Sequence, residues 1–291
     1  MSSTLGITEE LVSRLVAAQH PDLAHLPLRW VESGWDNAMF RLGDNLAVRL
    51  PRRGLAAGLI AHEQRWLPEL AKDLPIPVPT PCRIGQPGPG YLWSWNVVPW
   101  LRGFTADDHE PHAGQAVPFA RFLRALHSRL GANGAPKNAV RGVPLRQRAF
   151  VLEQRMQRLA GRTTLITPRI WRIWKEALAA PVEGAPTWLH GDLHPRNVVV
   201  DGGVISGIID WGDITSGDCA TDLASIWMLF GQPHVQCEAL AAYGHILEAT
   251  QYRAKGWAVL FGVILLDTGL NDNPRNTELG KRILPRVEKR I

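Results

Sequence analysis

Four residues in one short stretch of this sequence have the types and spacing for chemistry on a phosphate- or hydroxyl-bearing molecule. In LHGDLHPRNVVVDGGVISGIIDWGD, residues 189–213, His190, Asp192 and Asn197 fall on a polar loop between apolar runs, and Asp210 closes the run VISGIID. Carboxylates and an amide held at strand ends are hard oxygen ligands suited to Mg2+, which takes few protein groups and keeps water or phosphate oxygens for the rest. A carboxylate outside the metal shell can orient a hydroxyl or accept its proton. Any one of these aspartates taken singly reads as a turn or cap residue. The ordered set is what points to a site.

The elements that must hold them can be read from periodicity. NVVV and VISGIID predict a hairpin around Asp201-Gly202-Gly203. Upstream, Thr8 with Glu9 and Glu10 caps a first helix ending near His20-Pro21. LRWVES, MFRLG and LAVRLP are short apolar runs divided by Gly34-Trp35-Asp36-Asn37 and Gly43-Asp44-Asn45, which predicts three antiparallel strands. Residues 56–71 have helical spacing, PIPVPTPCRIGQPGPG is too proline-rich for anything but a loop with an edge segment, and YLWSWNVVPW reads as a strand. From Val117 the pattern turns helical and, apart from the hairpin, stays so through ALAAYGHILEAT, WAVLFGVILL and the basic tail. The layout is α+β: a small strand-rich lobe over residues 1–101 with a linker near 99–103, then a larger helical lobe over 102–291.

Composition narrows the class. With 291 residues, 45% hydrophobic and 20% charged, the chain can bury a proper core and is no disordered regulator. The net charge of +5 is mild, and its densest cluster, KRILPRVEKRI, carries apolar residues at helical spacing; it reads as a solvated helix face, so no nucleic-acid partner is expected. Cys82, Cys219 and Cys237 are odd in number and form no CxxC pair, which suggests a reducing compartment and no structural zinc. The start MSSTLGITEELVSRLV lacks the basic and apolar regions of a signal peptide, and the longest apolar run, Trp257 to Leu266, is about half of the ~20 residues a membrane span needs. A cytoplasmic protein with no membrane partner is expected.

HGDxHxxN followed by a hairpin and IIDW resembles the aminoglycoside phosphotransferase and choline kinase family, small-molecule relatives of the protein kinases. The resemblance implies a bilobal protein-kinase-like fold and transfer of the γ-phosphate of ATP or GTP, with Mg2+, to a hydroxyl of a small molecule. By position, Asp192 matches the catalytic aspartate, Asn197 and Asp210 match the metal-holding residues, and Asp222 in TDLASIW matches an aspartate of a following helix that hydrogen-bonds the catalytic-loop backbone, with His190 and Asp222 as structural support. In the first lobe, Gly34 suits the hairpin over the phosphates, Arg49 on LAVRLP stands where most of these kinases have lysine, and Glu63 is its partner on the following helix. WNVVPWLRG matches the hinge, with Val98 behind the adenine, the Pro99 carbonyl as acceptor and the Leu101 N–H as donor. The dozen residues between Asp210 and Asp222 leave no room for the activation segment of a protein kinase. For the acceptor, an aminoglycoside-like antibiotic comes first, with Asp267 and Asp272 as its contacts, and a macrolide or other small alcohol second; Trp227, Trp257 and Phe261 offer apolar walls or simply helix core. A non-catalytic nucleotide-binding protein on the same scaffold is the reading from a different class.

Overall fold

The computed structural model describes residues 6–33 and 36–289, without the side chains of Glu32, Ser33 and Asp272. Contacts divide the chain into two compact units: one of residues 1–73, 77–102 and 207–213, the other of 74–76, 103–206 and 214–291.

The first unit is a five-stranded antiparallel sheet with one helix packed into its core. Helix α1 (Glu9–Gln19) opens at Thr8, whose hydroxyl accepts the Leu11 N–H at 3.3 Å. Strands β1 (Leu28–Ser33), β2 (Asn37–Leu42) and β3 (Leu46–Pro51) form a meander, followed by helix α2 (Gly54–Leu70), β4 (Arg83–Gly85) and β5 (Trp95–Pro99). The sheet order is β1-β2-β3-β5-β4. Leu11, Val12, Leu15 and Val16 of α1 bury their stripe among Phe40, Val48, Leu50, Tyr91, Trp95 and Val97. The strand expected over Tyr91–Trp100 is shorter than its apolar pattern. Tyr91 instead pairs with Gly88 in an isolated bridge and donates its hydroxyl to the Pro51 carbonyl at 2.8 Å, a polar anchor that alternation does not report.

Residues 207–213, which the sequence layout placed in the helical lobe, group with the first unit. The Ile208 N–H donates to the Pro77 carbonyl at 3.0 Å, and Gly212 lies so close to Leu59 of α2 that a Cβ would sit 2.8 Å from the leucine Cβ.

The second unit is mainly helical. Strand β6 (Phe104–Thr105) precedes α3 (Ala116–His127), α4 (Ala149–Ala160) and α5 (Pro168–Ala179). Then come β7 (Thr187–Leu189), β8 (Val198–Asp201), β9 (Val204–Ile208) and β10 (Thr215–Gly217), where β6, β8 and β9 form one small sheet and β7 pairs with β10. Helices α6 (Ala220–Leu223), α7 (Ser225–Leu229), α8 (Pro233–Tyr243), α9 (Glu248–Asp272) and α10 (Pro274–Glu288) close the chain. The apolar stretch expected as one helix through ALAAYGHILEAT is broken at Gly244, whose φ of 115° lies outside the helical region. Helix α9 is the centre of this unit, packing against α4, α5 and α10, with Trp257 and Phe261 buried. The basic tail buries Ile283, Leu284 and Val287 and turns Arg282 and Arg286 to Glu110. Among the described residues no helix is long and apolar enough to cross a membrane.

Candidate active site

In the first unit, β3 delivers Arg49 and α2 delivers Glu63, and both are buried. Arg49 Nη1 donates to both Glu63 oxygens, at 2.9 and 2.7 Å, and Nη2 reaches Asp210 Oδ1 at 3.3 Å. Burial would pull the arginine down, but the Glu63 and then the Asp210 carboxylates more than offset it and raise its pKa. One cation thus lies between a carboxylate that is 1% exposed and another that is 53% exposed. The Asp210 Oδ2 atom has no hydrogen-bond partner among the described residues. Asp210 has φ 61°, the only non-glycine positive φ among the described residues, a conformation that costs an ordinary side chain about 1–2 kcal/mol and that aspartate tolerates better than most. It persists because the next turn is pinned: the Trp211 indole, fully buried, donates to the Ile208 carbonyl at 2.9 Å.

The hinge residues expected from the sequence lie at the end of β5. Val98 is buried and pairs with Ala47, and Pro99 pairs with Leu46. The Trp100 N–H is taken by the Asn45 carbonyl at 2.8 Å, whereas the Leu101 N–H meets no acceptor among the described residues. Gly34 lies outside the described residues.

In the second unit, the loop after β7 presents Asp192. Gly191 makes the turn with φ 86°. Asp222, fully buried on α6, accepts the His190 N–H at 2.7 Å through one oxygen and the Gly191 N–H at 3.0 Å through the other. His190 in turn accepts the Asp192 N–H through Nδ1 at 3.3 Å, and the Asn197 amide donates to the Asp192 carbonyl at 2.8 Å. The latter bond orients the side chain and leaves Asn197 Oδ1 without a hydrogen-bond donor among the described residues. The loop is therefore held on both sides of Asp192 by side chains rather than by a ladder.

The Asp192 carboxylate itself faces Arg141, which donates to Oδ1, and His194, whose Nε2 is 3.5 Å from Oδ2. Burial pushes the carboxyl up, yet the Arg141 guanidinium and then His194 hold it well below the usual carboxylate range. Asp192 is therefore charged at neutral pH and is a weak base while Arg141 stays in place. Sequence reasoning did not single out Arg141, His194 or His127. His194 was in view within the HGDLHPRN stretch. His127 bridges Tyr243 (2.9 Å) and Asp222 (3.4 Å) from α3, and Arg141 comes from a loop 51 residues upstream of Asp192; neither has a local sequence signal.

The residues expected to meet an acceptor are differently placed. Asp267 on α9 is only 3% exposed, and its oxygens accept from Arg155 (2.8 Å) and Arg158 (2.7 Å). Asp272 ends the same helix, and its side chain lies outside the described part. Trp227, Trp257 and Phe261 are all buried.

The chain is similar to known proteins over most of its length. The family model of the phosphotransferase enzyme family matches residues 28–258. An aminoglycoside 3′-phosphotransferase of Escherichia coli is 27% identical over 207 residues, covering 66% of this chain and 72% of that one. Among solved structures, the GDP complex of an aminoglycoside 2′-phosphotransferase superposes with a TM-score of 0.70 at 18% identity, covering 97% of this chain and 99% of the other. A macrolide 2′-phosphotransferase from Brachybacterium faecium, as the apoenzyme, gives 0.64 at 22% identity, with 95% and 97% covered.

Proposed function

The chain belongs to the phosphotransferase enzyme family, and on that premise we propose that it moves the γ-phosphate of ATP or GTP to a hydroxyl of a small molecule. The observation that carries this reading is the Asp192 loop: a charged carboxylate whose backbone is clamped by Asp222 through His190 and Gly191 and by the Asn197 amide. In the reaction the acceptor oxygen bonds to Pγ, the bond from Pγ to the β–γ bridging oxygen breaks, and nucleoside diphosphate leaves. Asp192 orients the hydroxyl and takes its proton as the new bond forms. A weak base suffices, because in a loose phosphoryl-transfer transition state positioning and charge stabilisation do most of the work.

Arg49, held by Glu63, steadies the α- and β-phosphates. Arginine in place of lysine offers a fork, and here one arm is used on Glu63 while the other is turned to Asp210. Gly34 belongs to the phosphate hairpin in this reading, and Val98, Pro99 and Leu101 form the nucleotide hinge. Asp210 in the first unit and Asn197 in the second each keep the metal role their motif positions imply: one offers a carboxylate oxygen and the other an amide oxygen, both hard and both without a protein partner among the described residues. A Mg2+ ion held by such oxygens would supply positive charge to the phosphate oxygens. His190 and Asp222 are positioning residues.

Aminoglycosides and macrolides, the compounds in the names of the similar proteins, head the list of acceptors to test. The experiment is a panel assay of hydroxyl compounds with Mg·ATP and Mg·GTP, reading nucleoside diphosphate release and the phosphate ester by 31P NMR. Acceptor-dependent release that is lost in Asp192→Asn supports phosphotransfer. Tight nucleotide binding with no release for any acceptor would instead favour the non-catalytic scaffold.

A further inference from the structure

The charges around Asp192 do not balance. Arg141 lies on the loop between α3 and α4, its own N–H held by Asn138 Oδ1 at 3.0 Å, and its guanidinium donates to Asp192 while lying 4.9 Å from the centre of the Phe261 ring. Seven residues on, at the start of α4, is Arg148. Its guanidinium makes no hydrogen bond or ion pair among the described residues, and its Nε is buried without a partner. Burial lowers its pKa, and the charges that act on it, Arg141 and Arg155, lower it further; no carboxylate compensates. Arg155 and Arg158 are themselves committed to Asp267. Four guanidiniums, Arg141, Arg148, Arg155 and Arg158, thus meet two carboxylates, Asp192 and Asp267, and the uncompensated charge falls on Arg148.

Arg148 is half-buried, and its Nε, drawn out of water without an acceptor, is unfavourable; the group that relieves it is an oxyanion with two oxygens for the planar fork. We infer that the acceptor carries an anionic group, a carboxylate or a phosphate, which binds Arg148 beside Arg141 while its hydroxyl is presented to Asp192. Arg148 is then a specificity-determining residue, and Arg141 links the anion to the reacting end by its contact with Asp192. The inference rests on the phosphotransfer reading and adds the acceptor's charge to it. A polycation would bring ammonium groups to a region where the carboxylates, Asp192 and Asp267, already have basic partners.

The test sets hydroxy acids and sugar phosphates against uncharged alcohols of the same skeleton and against aminoglycosides, in wild type, Arg148→Gln and Arg148→Lys. Anionic acceptors should be turned over best, with the two anionic arms showing whether carboxylate or phosphate is preferred. Arg148→Gln should raise their KM about ten- to a hundredfold, the scale of one hydrogen bond to a charged group, while kcat falls less than threefold; Arg148→Lys should recover part of the loss. In parallel, inorganic phosphate at constant ionic strength should raise the Tm of wild type more than that of Arg148→Gln. Turnover confined to aminoglycosides or uncharged alcohols, or an anionic-acceptor KM indifferent to Arg148→Gln, overturns the inference. So does an equal phosphate shift in both proteins. An Arg148-dependent phosphate shift with no acceptor-dependent release would sink the phosphotransfer reading and leave the anion site standing.

Discussion

Asp192 keeps its charge because Arg141 and His194 outweigh the cost of burying it. The same pairing makes the carboxylate a weak proton acceptor, so in the proposed reaction it would aim the hydroxyl first and take its proton only as the bond to phosphorus forms. Asp192→Asn keeps the size and the backbone bonds of the loop but removes the negative charge. Turnover should fall about 10²–10⁴-fold, the range for general acid–base groups, with nucleotide affinity little changed; a variant retaining more than a tenth of wild-type turnover would remove Asp192 from that role. A second residue-scale expectation concerns Cys219, whose thiol is pushed up to about 11 by burial and by the neighbouring Asp218 carboxylate. Between its ordinary value near 9 and 11 the folded chain keeps this proton and the unfolded chain loses it, so stability should decline as pH rises through that window and level off above it. Thiol labelling at pH 8 should therefore modify the exposed Cys237 well before Cys219. Rapid labelling of Cys219 in the folded protein would contradict its raised pKa.

At the scale of elements, β3 and α2 are joined by a buried ion pair rather than by apolar packing alone. Glu63 is 1% exposed, so removing Arg49 strands a carboxylate in the interior. Arg49→Ala should destabilise the fold by about 3–5 kcal/mol, the usual cost of breaking a buried pair from one side, whereas Arg49→Leu with Glu63→Leu should restore most of that loss. Denaturant midpoints of Arg49→Leu, Glu63→Leu and the double variant would measure the coupling. If the double variant is as unstable as Arg49→Ala, the pair is not what holds α2 to the sheet. Arg49→Ala and the double variant should both lose nucleotide use, which separates the structural from the chemical role of Arg49.

For the whole molecule, ligand binding is read out as stability. Nucleotide at 100 times its Kd should add about 2.7 kcal/mol, since it binds only the folded chain. Mg2+ should add to this increment in wild type. In Asp210→Ala the metal-dependent part should disappear, because Asn197 alone offers a neutral oxygen, while the metal-free part remains. Thermal scans with nucleotide, with and without Mg2+, decide it; an undiminished metal increment in Asp210→Ala would remove Asp210 from the metal site.

Much of this could be read from the chain alone, and for a physical reason: wherever the signal is local, sequence carries it. The Thr8 cap and the β1–β3 meander follow from neighbours within a few residues. The HGDLHPRN loop, the hairpin and Asp222 lie within 33 residues, and their spacing pointed to one chemistry before any contact was known. Tertiary structure decided what depends on distant partners. It cut the 91–100 strand short through the Tyr91–Pro51 bond, split the α8–α9 stretch at Gly244, and moved residues 207–213 to the first unit. It also decided which charges are spoken for. Asp267 looked available as a carboxylate on an apolar helix, but Arg155 and Arg158, more than a hundred residues earlier, already occupy it. Arg141 is one arginine among many in the sequence, and only the folded chain places it on Asp192 and leaves Arg148 without a counter-charge. Ion pairing has no period and no spacing rule, so the charge offered to an acceptor is a property of the fold.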